Sequence, residues 1–143
     1  MHREIIKPKD SDEYLSDFMT ELPVNCLFDK GKTGCGGTTI AIENEIDTIM
    51  AMPYVNVIKN KTEQHPGLLG IYQGVTDAEI IDYLQNHDKK KIAVTYDRLE
   101  SLINLLEQNG YKPYSQFYLL VDEWHILFNS YAFRNKAVTE VLF

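Results

Sequence analysis

Five short apolar runs recur along the chain, at residues 24–28, 48–52, 68–72, 91–95 and 117–121, with a helix-like stretch between each pair. The runs are continuous rather than alternating. A strand with one wet face alternates polar and apolar residues, so continuous runs read as strands covered on both faces. Strands of that kind, separated by helices, form a parallel sheet. The expected fold is therefore α/β, a three-layer sandwich around a mostly parallel five-stranded sheet.

The intervening segments carry helix signals. Ser11 is placed to cap a first helix with Tyr14, Leu15, Phe18 and Met19 on one face, ended by Leu22-Pro23. A helix follows the glycine-rich stretch and runs to about Glu45, and another covers 54–65 before Pro66-Gly67 breaks it. Thr76 with Glu79 forms a capping box, opening a helix that buries Ile80, Ile81, Tyr83 and Leu84. Leu99, Leu102, Ile103 and Leu106 keep helical spacing within 98–108, with Asn109-Gly110 as the stop. A last helix is expected from about Asn129. The apolar residues run to Phe143 without a terminator, as in a piece of a longer protein. The expected division is an N-terminal arm and helix, 1–21, followed by one lobe, 22–143.

Composition excludes some classes. A net charge of −7 argues against a simple nucleic-acid-binding module, which is basic as a rule. No apolar stretch is long enough to span a bilayer, and residues 1–9 lack a signal-peptide core, so no membrane partner and a cytoplasmic location are expected. Cys26, in the first apolar run, and Cys35 are too few for a disulfide framework or a zinc site and are expected as free thiols. Lys89-Lys90-Lys91 reads as a solvated strand entrance rather than a nucleic-acid patch.

Two stretches carry chemistry. The first is Lys30-Gly31-Lys32-Thr33-Gly34-Cys35-Gly36-Gly37-Thr38-Thr39, between the first apolar run and a helix. Glycines let a backbone curl so that successive N–H groups face one anion, and a following helix adds its positive end. Gly31, Gly36 and Thr38 fit the phosphate-loop pattern G-x-x-x-x-G-K-[ST], with Thr38 where a hydroxyl ligates Mg²⁺, but Gly37 stands at the lysine position. Lys32 or Lys30 could swing a flexible ammonium over the phosphates instead. The plainer alternative is a glycine-rich turn. The second stretch is Asp122-Glu123-Trp124-His125, delivered by the apolar run 117–121. An aspartate at a strand end can hold the water shell of Mg²⁺, and a neighbouring glutamate can orient and deprotonate a water. The alternative is a helix start that favours acids through its dipole.

Asp122-Glu123-Trp124-His125 resembles the DExH box of superfamily-two helicases, and residues 22–142 resemble the N-terminal RecA-like lobe of those enzymes, a P-loop NTPase fold. Met52-Pro53 with the following 56–61 segment, Thr95-Tyr96-Asp97-Arg98-Leu99, and Phe133-Arg134 are similar to further segments of such lobes. The resemblance implies ATP and Mg²⁺ as cofactors, DNA or RNA as partner, and a second RecA-like lobe outside this chain. It implies phosphate binding by Gly31, Lys32, Thr33, Gly34, Cys35, Gly36, Gly37, Thr38 and Thr39. Mg²⁺ would fall to Thr38 and Asp122, and the catalytic pair would be Asp122 and Glu123. His125 would couple nucleotide state to the second lobe, and Pro53, Asn56, Thr95, Tyr96 and Arg98 would touch nucleic acid. Ordinary readings stand beside these: His125 as a polar residue at a helix start, Trp124 as packing, and Thr95, Tyr96 and Arg98 as strand end and helix cap. Three features depart from the family: Gly37 for the lysine, no glutamine upstream of the loop, and no second lobe. The displaced lysine also resembles that of terminase motors and partition ATPases, and its loss would suit a degenerate, non-catalytic nucleotide-binding module.

Overall fold

A computed structural model describes residues 4–6, 9–28 and 36–129. The chain divides into two compact units, 1–44 and 45–143. In the first, a single 3-10 turn, Leu15–Asp17, stands where a longer helix was expected, and helix α1 spans Gly37–Glu43. Of the expected apolar face only Leu15 is buried, and Tyr14 is exposed. The Asp17 carboxylate accepts the N–H groups of Glu13 and Tyr14 at 2.9 and 2.8 Å, which holds its pKa below the ordinary value.

The second unit holds β1 (Thr48–Met52), α2 (Val55–Gln64), β2 (Leu68–Ile71), α3 (Asp77–Asn86) and β3 (Lys91–Thr95). It continues with α4 (Tyr96–Gln108), a one-turn α5 (Pro113–Gln116), β4 (Tyr118–Val121) and α6 (Trp124–Asn129). The four strands form one sheet in the order β2-β3-β1-β4, with every pairing parallel. β1 and β3, in the middle, are buried at all five positions, whereas the outer strand β4 is only half-buried.

Helices flank the sheet, and strand alternation assigns its faces. Ile49, Ala51, Ile92 and Val94 join one cluster with Ile80, Tyr83 and Leu84 of α3 and with Leu99, Leu102, Ile103 and Leu106 of α4. Fully burying each such aliphatic side chain is worth about 1.5–3 kcal/mol. The intervening residues Met50, Met52 and Ala93 are equally buried but lie outside that cluster. Gly70, paired in register with Ala93, lies against Ile58 of α2. A Cβ on Gly70 would meet Ile58 Cγ2 at 2.9 Å and Thr62 Cγ2 at 3.0 Å, so glycine sets how closely α2 seats.

Among the described residues the expected five-stranded sheet is corrected to four strands. The run 24–28 forms no strand: Asn25 has φ +53°, a left-handed conformation incompatible with an extended ladder. Val24 and Leu27 are 65% and 62% exposed, and Cys26 is an exposed free thiol rather than a buried one. The other four runs became strands, two of them with the expected bounds, Thr48–Met52 and Lys91–Thr95. The capping box formed as read, with Thr76 N–H donating to Glu79 Oε2 at 2.7 Å and Glu79 N–H to Thr76 Oγ1 at 3.3 Å. Helix α6 begins at Trp124, upstream of the expected Asn129; residues 130–143, including Phe133-Arg134, lie outside the described set. Among the described residues, no helix is long and apolar enough to cross a membrane.

At the amino ends of the strands, the lysine run is only partly solvated. Lys89 pairs with Glu45 at 2.6 Å, whereas Lys91 is 3% exposed and its Nζ donates to the Ile46 carbonyl. Burial, reinforced by Lys89, lowers its pKa to about 8 against the opposing pull of Asp47 and Glu45. Tyr83 clasps the same end: its hydroxyl accepts the Lys91 N–H at 2.9 Å and faces the carbonyls of Gly67 and Lys91 at 2.7 and 2.9 Å.

Two outcomes follow from this packing. Gly70→Ala is expected to destabilise by about 1–3 kcal/mol through overpacking against α2, read as a lower midpoint in urea. In the folded chain the Lys91 ammonium is disfavoured, so the unfolded state binds more protons above pH about 8. Relative to Lys91→Met, the wild type is therefore expected to gain on the order of 1 kcal/mol as pH rises from 8 towards 10, measured by denaturant melts at each pH.

Candidate functional site

Parallel strands all point one way, so their carboxyl ends share one edge, where ligands of open α/β sheets sit. Here Met52 is in register with Thr95, and Ala51 with Val121, so β1, β3 and β4 end together. Asp122 follows β4 directly. Its N–H donates to the Ala51 carbonyl at 2.9 Å, continuing the ladder by one bond. Its carbonyl accepts the Tyr96 hydroxyl, and its Oδ1 accepts the Glu123 N–H at 3.1 Å. The chain then turns sharply: Glu123 has φ +55°, a conformation that costs a non-glycine residue on the order of 1 kcal/mol. The Glu123 carbonyl accepts the Ile126 N–H at 2.9 Å as α6 begins, and Glu123 Oε2 lies 3.1 Å from His125 Nε2. Asp122 and Glu123 are half-buried, Trp124 is 41% exposed and His125 is exposed. The DExH-like residues thus form a tight, half-solvated turn, with both carboxylates at the sheet's carboxyl edge.

Tyr96, read as a nucleic-acid contact or as part of a strand end and helix cap, stands at the start of a helix and also reaches the acidic turn. It is 6% exposed and opens α4 immediately after β3. Burial, then the carboxylates of Asp122 and Glu123 and the Tyr54 phenol, raise its pKa well above the ordinary value. Its hydroxyl stays protonated and acts as a donor. Thr95 is buried at the N-cap of α4. Arg98 is committed to the fold: its Nη1 donates to the carbonyls of Tyr72 and Val75 at 2.8 and 3.0 Å, closing the loop that turns at Gly74 with φ +97°. Pro53 is half-buried, and Asn56 is exposed on the first turn of α2, beside exposed Tyr54, Val55 and Val57. No spacing rule in the sequence marks the bonds made by Tyr96 and Arg98, because each partner is a backbone carbonyl 23 or 26 residues away.

Of the glycine-rich loop, Gly31, Lys32, Thr33, Gly34 and Cys35 lie outside the described residues. Gly36 has φ +92°, where glycine is the unstrained choice, and stands at the N-cap of α1 with its carbonyl accepting the Ile40 N–H at 3.1 Å. Gly37 is buried, and Thr38 and Thr39 are half-buried in the first turn. In the first unit a left-handed glycine leads into a helix start that carries the Thr38 hydroxyl. In the second unit the Asp122 carboxylate is a hard oxygen donor of the kind Mg²⁺ takes. Among the described residues there is no group of three or more His, Cys, Asp or Glu placed to hold a metal by themselves. Any ion would depend on water and ligand oxygens for the rest of its shell, as Mg²⁺ at polyphosphates does. No family model, curated protein or solved structure matches the chain.

Proposed function

We propose that the chain is the ATP-binding lobe of a DExH-type helicase or translocase acting on nucleic acid, with Mg²⁺-ATP hydrolysis completed by a second lobe. The observation that carries this reading is the Asp122-Glu123 turn at the carboxyl edge of an all-parallel sheet. In that role Asp122 would help hold Mg²⁺ through its water shell. Bound Mg²⁺ would neutralise charge on the polyphosphate. Glu123, oriented by His125, positions an attacking water and takes its proton. Lys32 offers a cation to the phosphates in place of the residue missing at Gly37. Asn56 and Pro53, beyond β1, remain available to a nucleic-acid strand, whereas Thr95, Tyr96 and Arg98 serve such a strand mainly by shaping the same edge. Turnover by this lobe alone is expected to be negligible, because charge developing on the transferred phosphoryl group needs cationic groups from elsewhere.

Gly37 favours a second reading, a nucleotide-binding module that has lost catalysis. A titration with ATP, with and without Mg²⁺, separates the two. On the first reading the chain binds Mg²⁺-ATP, and Lys32→Ala or Asp122→Asn each weaken binding about 10- to 100-fold, the worth of one charged contact. Binding that appears only in Gly37→Lys supports the second reading. Absence of binding in every variant contradicts both.

A further inference from the structure

The backbone of Asp122 is held on both sides of its Cα. Its N–H is bonded to β1 through Ala51, and its carbonyl to the β3–α4 junction through Tyr96. The next residue adopts a left-handed conformation that a glutamate holds only when its surroundings impose it. The ladder bond fixes where β4 ends but not the direction the chain takes afterwards. That direction depends on the plane of the peptide joining Asp122 to Glu123, whose oxygen is the atom Tyr96 grips. Tyr96 itself has little freedom, being buried at the start of α4 in the same core cluster as Leu99, one turn further on.

We propose that Tyr96 is the positioning residue for the acidic turn: its buried hydroxyl fixes the peptide between Asp122 and Glu123, so that the β3–α4 junction sets the direction of both carboxylates. A shift of the β3–α4 junction then reaches the acidic pair through the Tyr96 hydroxyl. The inference relies on the proposed function only for the identity of the ligand that the carboxylates meet. The turn geometry is claimed for the ligand-free chain as well.

The chain carries its own reporter, since Trp124 is its single tryptophan and adjoins Glu123. Tyr96→Phe removes the hydroxyl and keeps the ring. Tyr83→Phe is the control, deleting a comparable buried hydroxyl at the opposite ends of the strands. In the ligand-free chain, Tyr96→Phe is expected to shift Trp124 emission and increase its quenching by acrylamide, while Tyr83→Phe leaves both as in the wild type. With ATP, Tyr96→Phe is expected to cut the Mg²⁺-dependent gain in affinity about tenfold and to spare Mg²⁺-free binding. If Tyr96→Phe does not fold, 3-fluorotyrosine placed at 96 keeps the shape and strengthens the donor, and Trp124 quenching is expected to fall. Unchanged Trp124 signals in the Tyr96 variants, or equal changes in Tyr83→Phe, overturn the proposal. A wild type that binds no Mg²⁺-ATP sinks the functional reading instead, and the ligand-free signals still decide the role of Tyr96.

Discussion

The pairing of β1 with β3 on one side and β4 on the other is the constraint on which the second unit depends. β1 is buried at every position, and its register with both neighbours brings three strand ends to one edge. Parallel pairing of this kind forces each connection to cross a face of the sheet, and those crossings supply the helices that bury it. The apolar cluster of α3 and α4 on one face and the close seating of α2 at Gly70 follow from that arrangement. So does the position of Asp122, one residue beyond the last paired residue of β4.

What was legible in the sequence followed from burial. Residues 49–52 and 92–94 are apolar because both faces of a central strand are covered, and the strands they define were readable to the residue. Thr76 and Glu79 were readable because a capping box is local chemistry. The run 24–28 has the same apolar composition but failed as a strand. Asn25 turns it into a left-handed conformation, and its apolar side chains face solvent. Apolarity alone does not distinguish a buried strand from an exposed irregular segment, since a partner must be present to cover it. The one-turn helix at Pro113–Gln116 was too short for periodicity to reveal.

The candidate site was legible in its residues and not in its bonds. Asp122 and Glu123 announced themselves by following an apolar strand. Nothing in their spacing indicated that Glu123 would sit at positive φ or that Tyr96 would grip the carbonyl before it. Arg98, read as a nucleic-acid contact or as part of a helix cap, bonds two carbonyls of the β2–α3 loop through its Nη1. A cation spent on backbone carbonyls stiffens the edge that a ligand would approach, and contributes to a site without touching what it binds.

If the acidic turn at Asp122–His125 meets a Mg²⁺-polyphosphate, as proposed, amide hydrogen exchange on the whole chain, with and without a non-hydrolysable ATP analogue and Mg²⁺, tests it most directly. Slowed exchange at 122–125 is expected on ligand addition, and loss of that effect when Mg²⁺ is withheld. Unchanged exchange at 122–125, or protection there that persists without Mg²⁺, would contradict it.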